Sequence, residues 1–306
     1  MIHIIYTCTL NPAIDLFVEM DSLEPYVVNR TSDEDYQANG KGINVSIVLH
    51  KWGVGSVALG FVGGFTGEYI KSELERIGIL TDFVDIDGIT RINIFVNAET
   101  EFKIVNRGPK IESDSIEEML RKIKAIPKNS MLFVSGSVPK GVEEDIYVEI
   151  AKISRQNDVK LILDVSSKKL LDCLPYHPHL IKPNDEELAH FFGKDCLSDE
   201  EIVIYGKQLL QKGAEQVIVS LGERGAMYFS GEKAVKTSSV SGQVVNTACA
   251  EDTLLATFVV KRLAGHTVEE ALAYASAAGA STAFSKGISD LADVEGLVKR
   301  VHVSHL

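Results

Sequence analysis

Short apolar runs alternate with amphipathic stretches along most of the chain, beginning near residue 45. The runs include VALGFVG, MLFVSGS, KLILDVS and QVIVSLG, and the amphipathic stretches include residues 67–77 and DIYVEIAKISRQ. Buried parallel strands have near-continuous apolar runs, and the helices that connect them have one apolar face. The alternation therefore predicts an α/β fold in which a central, mostly parallel sheet is flanked by helices on both faces.

Two stretches do not follow this alternation of apolar runs and amphipathic segments. Residues 14–36 and 90–105 contain shorter segments, such as RINIFV and EFKIV, in which apolar and polar positions alternate. A period of two is typical of antiparallel strands with one exposed face. We expect these stretches to form a small antiparallel β lid beside the main sheet. Since no repeat, low-complexity segment or linker interrupts the chain, residues 1–306 are predicted to form a single domain.

The two ends of the chain carry further signals. The apolar run over residues 2–10 lacks the cationic start of a signal peptide and is predicted to be a buried first strand. Near the other end, VVNTACAEDTLLATFVVKRLAG predicts a polar turn before an apolar helix, and residues 267–284 predict a second helix rich in Ala, Ser and Gly. Small side chains suit close helix–sheet packing and suit a flat ligand beside the helix equally well.

Polar or small residues follow several of the predicted strands, at 135–137, 164–166, 182–184 and 220–222. In an open parallel sheet the carboxyl ends of the strands lie at one edge, where ligands bind. We therefore expect a ligand-binding crevice along that edge.

The composition narrows the class of function. With 45% hydrophobic and 24% charged residues, the chain is an ordinary globular protein. Its net charge of -12 disfavours nucleic acids and anionic membranes as partners, because both would be repelled. No uncharged apolar stretch reaches the roughly 20 residues of a membrane helix, so we expect a cytoplasmic protein. The four cysteines have no CxxC spacing, which disfavours structural zinc.

A glycine-rich segment, Asn39-Gly40-Lys41-Gly42, precedes a predicted helix. Backbone N–H groups freed by glycine, a lysine ammonium and a helix N-terminus all favour a bound anion. The segment is not a Walker A loop, because no Ser or Thr follows the lysine. A plain glycine-rich turn explains the pattern equally well. The glycines of GFVGGFTGEY do not match GxGxxG, which disfavours a dinucleotide-dependent enzyme.

Asp252 is predicted to lie in the first turn of a helix. A carboxylate there can simply compensate the helix dipole. Alternatively, it can accept a proton from a substrate hydroxyl while N–H groups of the same turn hold a transferring phosphoryl group. The residue pattern leaves both interpretations open.

Seven motifs, in order along nearly the whole chain, resemble the ribokinase-like sugar kinases of the phosphofructokinase-B type. They are TLNPAID, GKGINVS, SVALGFVGGFTGEYIK, TRINI, VSGSVPKG, LIKPNDEEL and VSLGERGA. The third and fourth are especially similar to those of the branch that contains 1-phosphofructokinases and tagatose-6-phosphate kinases. The resemblance implies a ribokinase-like fold and ATP-dependent phosphorylation of a ketose phosphate. Fructose 1-phosphate is the favoured substrate and tagatose 6-phosphate the next.

The resemblance also implies roles for individual residues. Asp252 would be the general base, beside an anion hole formed by Cys249, Ala250 and Glu251. The sugar and its phosphate would be bound by Asp15, Gly40, Lys41, Gly42, Asn44, Arg91 and Ser137, with Arg91 as a phosphate clamp. ATP would be bound by Lys182, Asn184, Ser220, Gly222, Gly225, Ala278 and Ser281, and Glu187 would hold Mg²⁺. Related kinases often pair through the lid, so a homodimer is expected.

The chain departs from the family pattern at the proposed active site. The family's G-A-G-D is replaced by Cys249-Ala250-Glu251-Asp252, and Asn39 replaces the first glycine of G-G-K-G. If Glu251 points inward, its charge would oppose an anionic phosphoryl group by several kcal/mol at about 4 Å in a weakly polar site. Two hypotheses follow: an active kinase, or a catalytically weakened homologue that binds nucleotide or sugar phosphate as a regulator.

Overall fold

The computed structural model describes residues 4–231 and 233–306. The strand predicted over residues 2–10 is present at Ile5–Thr9, and residues 2 and 3 lie outside the described part of the chain. Within the described residues the strands are β1 (Ile5–Thr9), β2 (Ala13–Glu19), β3 (Asp33–Asn39), β4 (Val57–Val62), β5 (Leu80–Thr81), β6 (Val84–Asp85), β7 (Arg91–Asn97), β8 (Glu101–Ile104), β9 (Met131–Ser135), β10 (Lys160–Asp164), β11 (Leu180–Ile181), β12 (Val217–Ser220), β13 (Ala226–Ser230), β14 (Lys233–Thr237) and β15 (Val303–His305).

Helices connect and cover these strands. They are α1 (Lys41–Lys51), α2 (Gly64–Arg76), α3 (Ser113–Lys124), α4 (Ile146–Gln156), α5 (Leu170–Cys173), α6 (Asp185–Phe191), α7 (Asp199–Gln211), α8 (Ala250–Leu263), α9 (Val268–Ala283) and α10 (Val294–Leu297). Among residues 4–231 and 233–306, no helix combines the length and the hydropathy that a bilayer-spanning segment needs.

The large sheet has the strand order β15-β14-β13-β12-β11-β10-β9-β1-β4-β5, and β6 also pairs with β4. Every pair from β12 to β5 is parallel, whereas β13, β14 and β15 add an antiparallel edge. The predicted mostly parallel sheet is confirmed.

Both faces of this sheet are covered, as the apolar runs predict. Successive residues of a strand point to opposite faces. In β9, Leu132 and Val134 belong to the core shared with α3, α4 and α7. Met131 and Phe133 belong to a second core, shared with α1, α8 and α9. A central strand of this kind needs apolar residues at every position, which explains its unbroken run.

The lid is a separate four-stranded sheet with the order β3-β2-β7-β8. It is formed by the two predicted stretches, except that β2 begins one residue before residue 14 and β3 ends three residues after residue 36. The β2–β3 and β7–β8 pairs are antiparallel, and the central β2–β7 pair is parallel. In that register Asp15 lies directly opposite Asn93. Because β2 follows β1 after three residues, the lid is joined to the carboxyl edge of the main sheet.

Candidate functional site

Asp252 lies in the first turn of α8, at the carboxyl edge of the sheet. The preceding Cys249 has a left-handed backbone (φ 64°), which ends the approaching loop and begins the helix. The carboxyl group of Asp252 is buried, and its Oδ2 accepts a hydrogen bond of 2.8 Å from Asn44 Nδ2. No described group bonds its buried Oδ1. One carboxylate oxygen is therefore fixed by Asn44, and the other has no hydrogen-bond partner among the described groups.

The surroundings of Asp252 adjust its acidity. Burial raises the pKa of the carboxyl group to about 6, against the opposing attraction of the Lys41 ammonium, while the Asp164 carboxylate raises it further. A general base is most effective when its pKa lies near the working pH. At neutral pH this carboxyl group is ionised, and it is more basic than an exposed aspartate.

Four charged side chains form a chain of ion pairs beside Asp252. Lys41 Nζ lies 3.2 Å from Asp164 Oδ1, the same oxygen lies 3.2 Å from Lys182 Nζ, and Lys182 Nζ lies 2.8 Å from Glu251 Oε2. Lys41 begins α1, Asp164 ends β10, Lys182 follows β11, and Glu251 lies in α8. The parallel strand order brings these four elements to one edge. We call this set the four-charge chain.

The four-charge chain also shows how the negative charge of Glu251 is compensated. From the sequence, that charge is expected to repel phosphate if the side chain points inward. Burial alone would make the glutamate less acidic, but Lys182 outweighs burial and holds the pKa of Glu251 below its ordinary value. Burial likewise opposes ionisation of Asp164, and Lys182 and Lys41 hold its pKa low. The negative charge of Glu251 is therefore compensated by a direct ion pair.

A cavity of about 830 Å³ opens beside the start of α8. A volume of that size is ordinary for a small-molecule site. Three residues assigned to ATP line it, namely Ser220, Gly222 and Gly225, and Ala250 and Glu251 of the proposed anion hole line it as well.

Two residues assigned to the adenine site do not line this cavity. Ala278 is fully buried in the core, and Ser281 Oγ bonds Ser289 Oγ and Asp293 Oδ1 at 2.8 and 2.5 Å. The small residues that do line the cavity share another face of α9, and they are Ser276, Gly279, Ala280 and Ala283. Residues three or four apart share a helix face, so positions 278 and 281 are turned away from 276 and 280. Ala278 and Ser281 therefore face away from this cavity, and their assignment to the nucleotide stays a prediction from the sequence motifs.

Asn184 and Glu187 form the N-terminal cap of α6. Asn184 Oδ1 accepts from the Glu187 backbone N–H at 2.7 Å, and Glu187 Oε2 accepts from the Asn184 backbone N–H at 3.0 Å. A backbone bridge places Asn184 beside Ser220, which lines the cavity. The two hydrogen bonds fix Asn184 and Glu187 relative to each other, and Asn184 lies next to a residue that lines the cavity.

The donor set fits Mg²⁺ supplied together with a nucleotide. Among the residues that the structure describes, no group of three or more His, Cys, Asp or Glu side chains is assembled to hold a metal ion. Mg²⁺ is commonly bound by one or two carboxylates, with substrate phosphates and water completing its shell. A single carboxylate such as that of Glu187 is compatible with that mode, and its role as a ligand stays a prediction.

On the lid side, Asp15 Oδ1 accepts a 2.8 Å hydrogen bond from Asn93 Nδ2, and burial raises the pKa of the Asp15 carboxyl group.

Arg91 has contacts that its sequence motif does not reveal. Its guanidinium donates to the backbone carbonyls of Asn11, Asn106 and Pro12 at 2.8, 2.9 and 3.4 Å. Since a guanidinium has five N–H donors, two remain for a ligand. Arg91 therefore joins the loops at the lid, and its role as a phosphate clamp stays a prediction.

The glycine-rich loop packs tightly against β1. At Gly40 (φ 140°) a Cβ would lie 2.5 Å from Thr9 Cγ2, and at Gly42 it would lie 2.6 Å from Thr9 Oγ1. These glycines permit the close approach that places Lys41 at the start of α1. Ser137 is exposed in the turn after β9, whose Gly136 lies against Lys41.

Sequence reasoning gave no role to two residues of this site. Asp164 was noticed only as a polar strand end, although its carboxylate links Lys41 to Lys182. Asn93 lies in the lid strand β7 and bonds Asp15. Asp164 could be predicted from the sequence, because it ends β10 beside the end of β11. Asn93 could not, because its contact with Asp15 depends on the register of the lid strands.

Comparison with known proteins finds a matching family, two named relatives and a solved structure with a similar fold. The model of the "pfkB family carbohydrate kinase" matches residues 8–294. The chain is 54% identical to a D-tagatose-1-phosphate kinase of Bacillus licheniformis, over 99% of this chain and 100% of that one. It is 37% identical to a 1-phosphofructokinase of Bacillus subtilis, over 99% and 100%. The fold matches phosphofructokinase-2 from Escherichia coli in complex with substrates and products, with a TM-score of 0.89, 24% identity and coverage of 97% and 99%.

Proposed function

The chain belongs to the pfkB family of carbohydrate kinases, and from this premise we propose that it transfers the γ-phosphoryl group of ATP to a ketohexose 1-phosphate. D-tagatose 1-phosphate and D-fructose 1-phosphate are the candidate acceptors, because the two relatives described above carry those sugars in their names. The product is the corresponding bisphosphate. Tagatose 6-phosphate, expected next from the motifs, ranks below them.

One observation carries the chemistry: the buried carboxylate of Asp252 has Oδ2 fixed by Asn44 and Oδ1 without a partner among the described groups. In the proposed reaction, Asp252 takes the proton of the attacking sugar hydroxyl. The sugar oxygen forms a bond to the γ-phosphorus, and the bond between that phosphorus and the oxygen of the departing ADP breaks. The proton leaves Asp252 for solvent once the products dissociate.

Further groups of the chain interact with the negative charges of the phosphoryl groups and of Asp252. The N-terminus of α8 favours a transferring phosphoryl group, as helix N-termini favour anions in general, although the N–H group of Ala250 already donates to Thr247 O at 3.3 Å. Both cations of the four-charge chain, Lys41 more strongly than Lys182, favour the ionised form of Asp252 and lower its pKa. Bound Mg²⁺ would neutralise charge on the ATP phosphates, and Glu187 and Asn184 are the residues proposed to hold it.

The regulator hypothesis was motivated by Cys249 and Glu251. Lys182 compensates the charge of Glu251 at 2.8 Å, so the acid does not leave an unpaired charge at the anion hole. Both relatives described above are named as kinases. Nothing in the site favours binding without turnover, and active phosphoryl transfer is the function we propose.

The test is a coupled assay of ADP release with the 1-phosphates of tagatose and fructose and the 6-phosphates of both sugars. We expect turnover with a 1-phosphate and a loss of about 10²- to 10⁴-fold in kcat for Asp252→Asn, the usual contribution of a general base. Asp87→Asn, at an exposed aspartate, is the control and should match wild type. A wild-type protein inert on all four sugars, or an Asp252→Asn variant as active as wild type, would contradict the proposal.

A further inference from the structure

Two side chains occupy positions where the family motifs have glycine, and they meet in the structure. Asn39 ends β3 and Cys249 precedes α8, and they are 210 residues apart in the chain. Asn39 Nδ2 lies 3.9 Å from Cys249 Sγ. The two departures from the family pattern are therefore parts of one local arrangement, and its role depends on the function proposed above.

Asn44 connects both side chains to the proposed base. Its Nδ2 lies 3.0 Å from Asn39 Oδ1, 3.2 Å from Cys249 Sγ and 2.8 Å from Asp252 Oδ2. Asn39 Oδ1 also accepts the backbone N–H of Gly40 at 2.5 Å, which holds that oxygen in place. A carboxamide can present either its NH₂ group or its oxygen to a neighbour. Since the NH₂ group has two N–H donors, one serves Asp252 and the other is shared by Asn39 Oδ1 and Cys249 Sγ, and both of these acceptors favour the orientation in which NH₂ faces the carboxylate.

Cys249 occupies its position at an energetic cost. Its φ of 64° lies in the left-handed region, which costs a residue other than glycine about 1 kcal/mol or more. Strain of this kind is concentrated at functional sites, where the surrounding structure maintains it. A glycine would adopt the same backbone without the strain but would have no sulfur to contact Asn44.

The thiol contacts Asn44 as a neutral group. Burial raises the pKa of Cys249, and the carboxylates of Asp252 and Asp15 raise it further. It therefore brings no additional charge to the phosphoryl path. The charged groups around Asp252 come from four other places in the fold: Lys41 of α1, Asp164 of β10, Lys182 after β11, and Glu251 of α8.

We propose that Asn39 and Cys249 are positioning residues that hold the Asn44 amide with its NH₂ group toward Asp252. They thereby fix one oxygen of the base and leave the other free for the acceptor hydroxyl. This assigns a function to two substitutions that the family pattern alone marks only as irregular. In this scheme the side chains of Asn39 and Cys249 act through Asn44 and Asp252 and do not themselves touch the reacting atoms.

The test combines kinetics with a direct titration of the base. Asn39→Ala and Cys249→Ala should each lower kcat by about three- to tenfold and leave KM for ATP unchanged, as expected for an effect transmitted through the base. Because both act through Asn44, the double variant should be no slower than the slower single variant. Cys249→Ser, which keeps a polar atom at the same place, should retain most of the activity. Cys196→Ala, at an exposed cysteine, is the matched control.

The titration separates this inference from the proposed function. The Asp252 carboxyl signal, assigned by its loss in Asp252→Asn, is followed against pH by carbon-13 NMR. Loss of an oriented donor to the ionised form should raise the Asp252 pKa in both alanine variants. This result is independent of which sugar is phosphorylated. Wild-type values of both kcat and the Asp252 pKa in Asn39→Ala and Cys249→Ala would overturn the inference, as would a higher kcat on restoring glycine at either position.

Discussion

At the scale of single residues, the fully buried ammonium of Lys182 lies between the carboxylates of Asp164 and Glu251. Removing one member of a buried ion pair is far more harmful than removing the whole pair, because the remaining charge is left without compensation. The four-charge chain is therefore a point where a single substitution should affect both stability and the site.

Lys182→Met should lower the free energy of unfolding by about 3 to 5 kcal/mol at pH 7. The pKa values of Asp164 and Glu251 are held low by their lysine partners, so their contribution to stability is present above the unfolded-state pKa of about 4 and is lost on acidification. In the variant, protonation relieves the charge of Glu251, which has lost its lysine partner, whereas Asp164 keeps Lys41 at 3.2 Å. The difference in unfolding free energy between the variant and wild type should thus stay constant from pH 7 to pH 5 and narrow as the pH falls below about 4, as measured by urea unfolding. Lys168→Met, at an exposed lysine, is the control; an equal loss there would contradict the prediction.

The acidity of Asp252 gives a second prediction at this scale. Because burial raises its pKa to about 6, the carboxyl group gains a proton as the pH falls through that value. A protonated base cannot accept the sugar proton, so kcat/KM should fall about tenfold per pH unit below pH 6. A pH–rate profile between pH 5 and 8 measures this. A profile that stays flat down to pH 5 would show that Asp252 is not the base.

At the scale of elements, the turn from β12 to β13 illustrates how backbone sterics shape the nucleotide cavity. Gly225 has φ 93°, and a Cβ there would lie 1.9 Å from the backbone oxygen of Thr237 in the neighbouring β14. The turn is pressed against the next strand, and only glycine allows that approach. Gly265 has nearly the same φ, 90°, but open space around it.

These two glycines make a matched pair of substitutions. Gly265→Ala should lower the free energy of unfolding by about 1 kcal/mol through its backbone angle alone, whereas Gly225→Ala should lower it by about 2 to 4 kcal/mol because the clash adds to the angle. Since Gly225 lines the cavity, its variant should also raise KM for ATP. Thermal unfolding and ADP-release kinetics provide the readouts. Equal destabilisation by the two variants would mean that the close contact with Thr237 has no consequence.

At the scale of the whole molecule, the lid carries apolar side chains that face solvent in the described chain. They are Leu23, Tyr26, Val27, Val28, Tyr36, Phe102, Ile104 and Val105. Both edge strands of the lid, β3 and β8, contribute to this set. Exposed edge strands and apolar surface favour association with another chain. We therefore keep pairing of two copies through the lid as a prediction.

Phe102→Lys combined with Ile104→Lys should convert a dimer into a monomer, because two charges would be buried at the pairing surface. Light scattering coupled to gel filtration measures the mass directly. Leu263→Lys, which replaces a comparably exposed residue on the body at the end of α8, is the control and should leave the mass unchanged. A wild-type protein that is monomeric at micromolar concentration would refute pairing through the lid.

The sequence by itself determined the architecture and the family. Central strands buried on both faces need apolar residues at every position, and lid strands with one exposed face need alternation, so both were visible as local patterns. The ordered motifs also pointed to Ser220, Gly222 and Gly225, which line the cavity, and to Asp252, whose role stays a prediction.

Only the tertiary structure decided which side chains meet. Most of these contacts join residues that are far apart in the sequence. The separation is 69 positions in the Glu251–Lys182 ion pair and 210 in the Asn39–Cys249 contact. Arg91 bonds the carbonyls of Pro12 and Asn11 across 79 and 80 positions, and that of Asn106 across 15. The rotation of α9, which turns Ala278 and Ser281 away from the cavity, is likewise a feature that only the tertiary structure fixes. Such contacts depend on strand order, helix rotation and side-chain conformation, which are set by packing across the whole domain rather than by local periodicity.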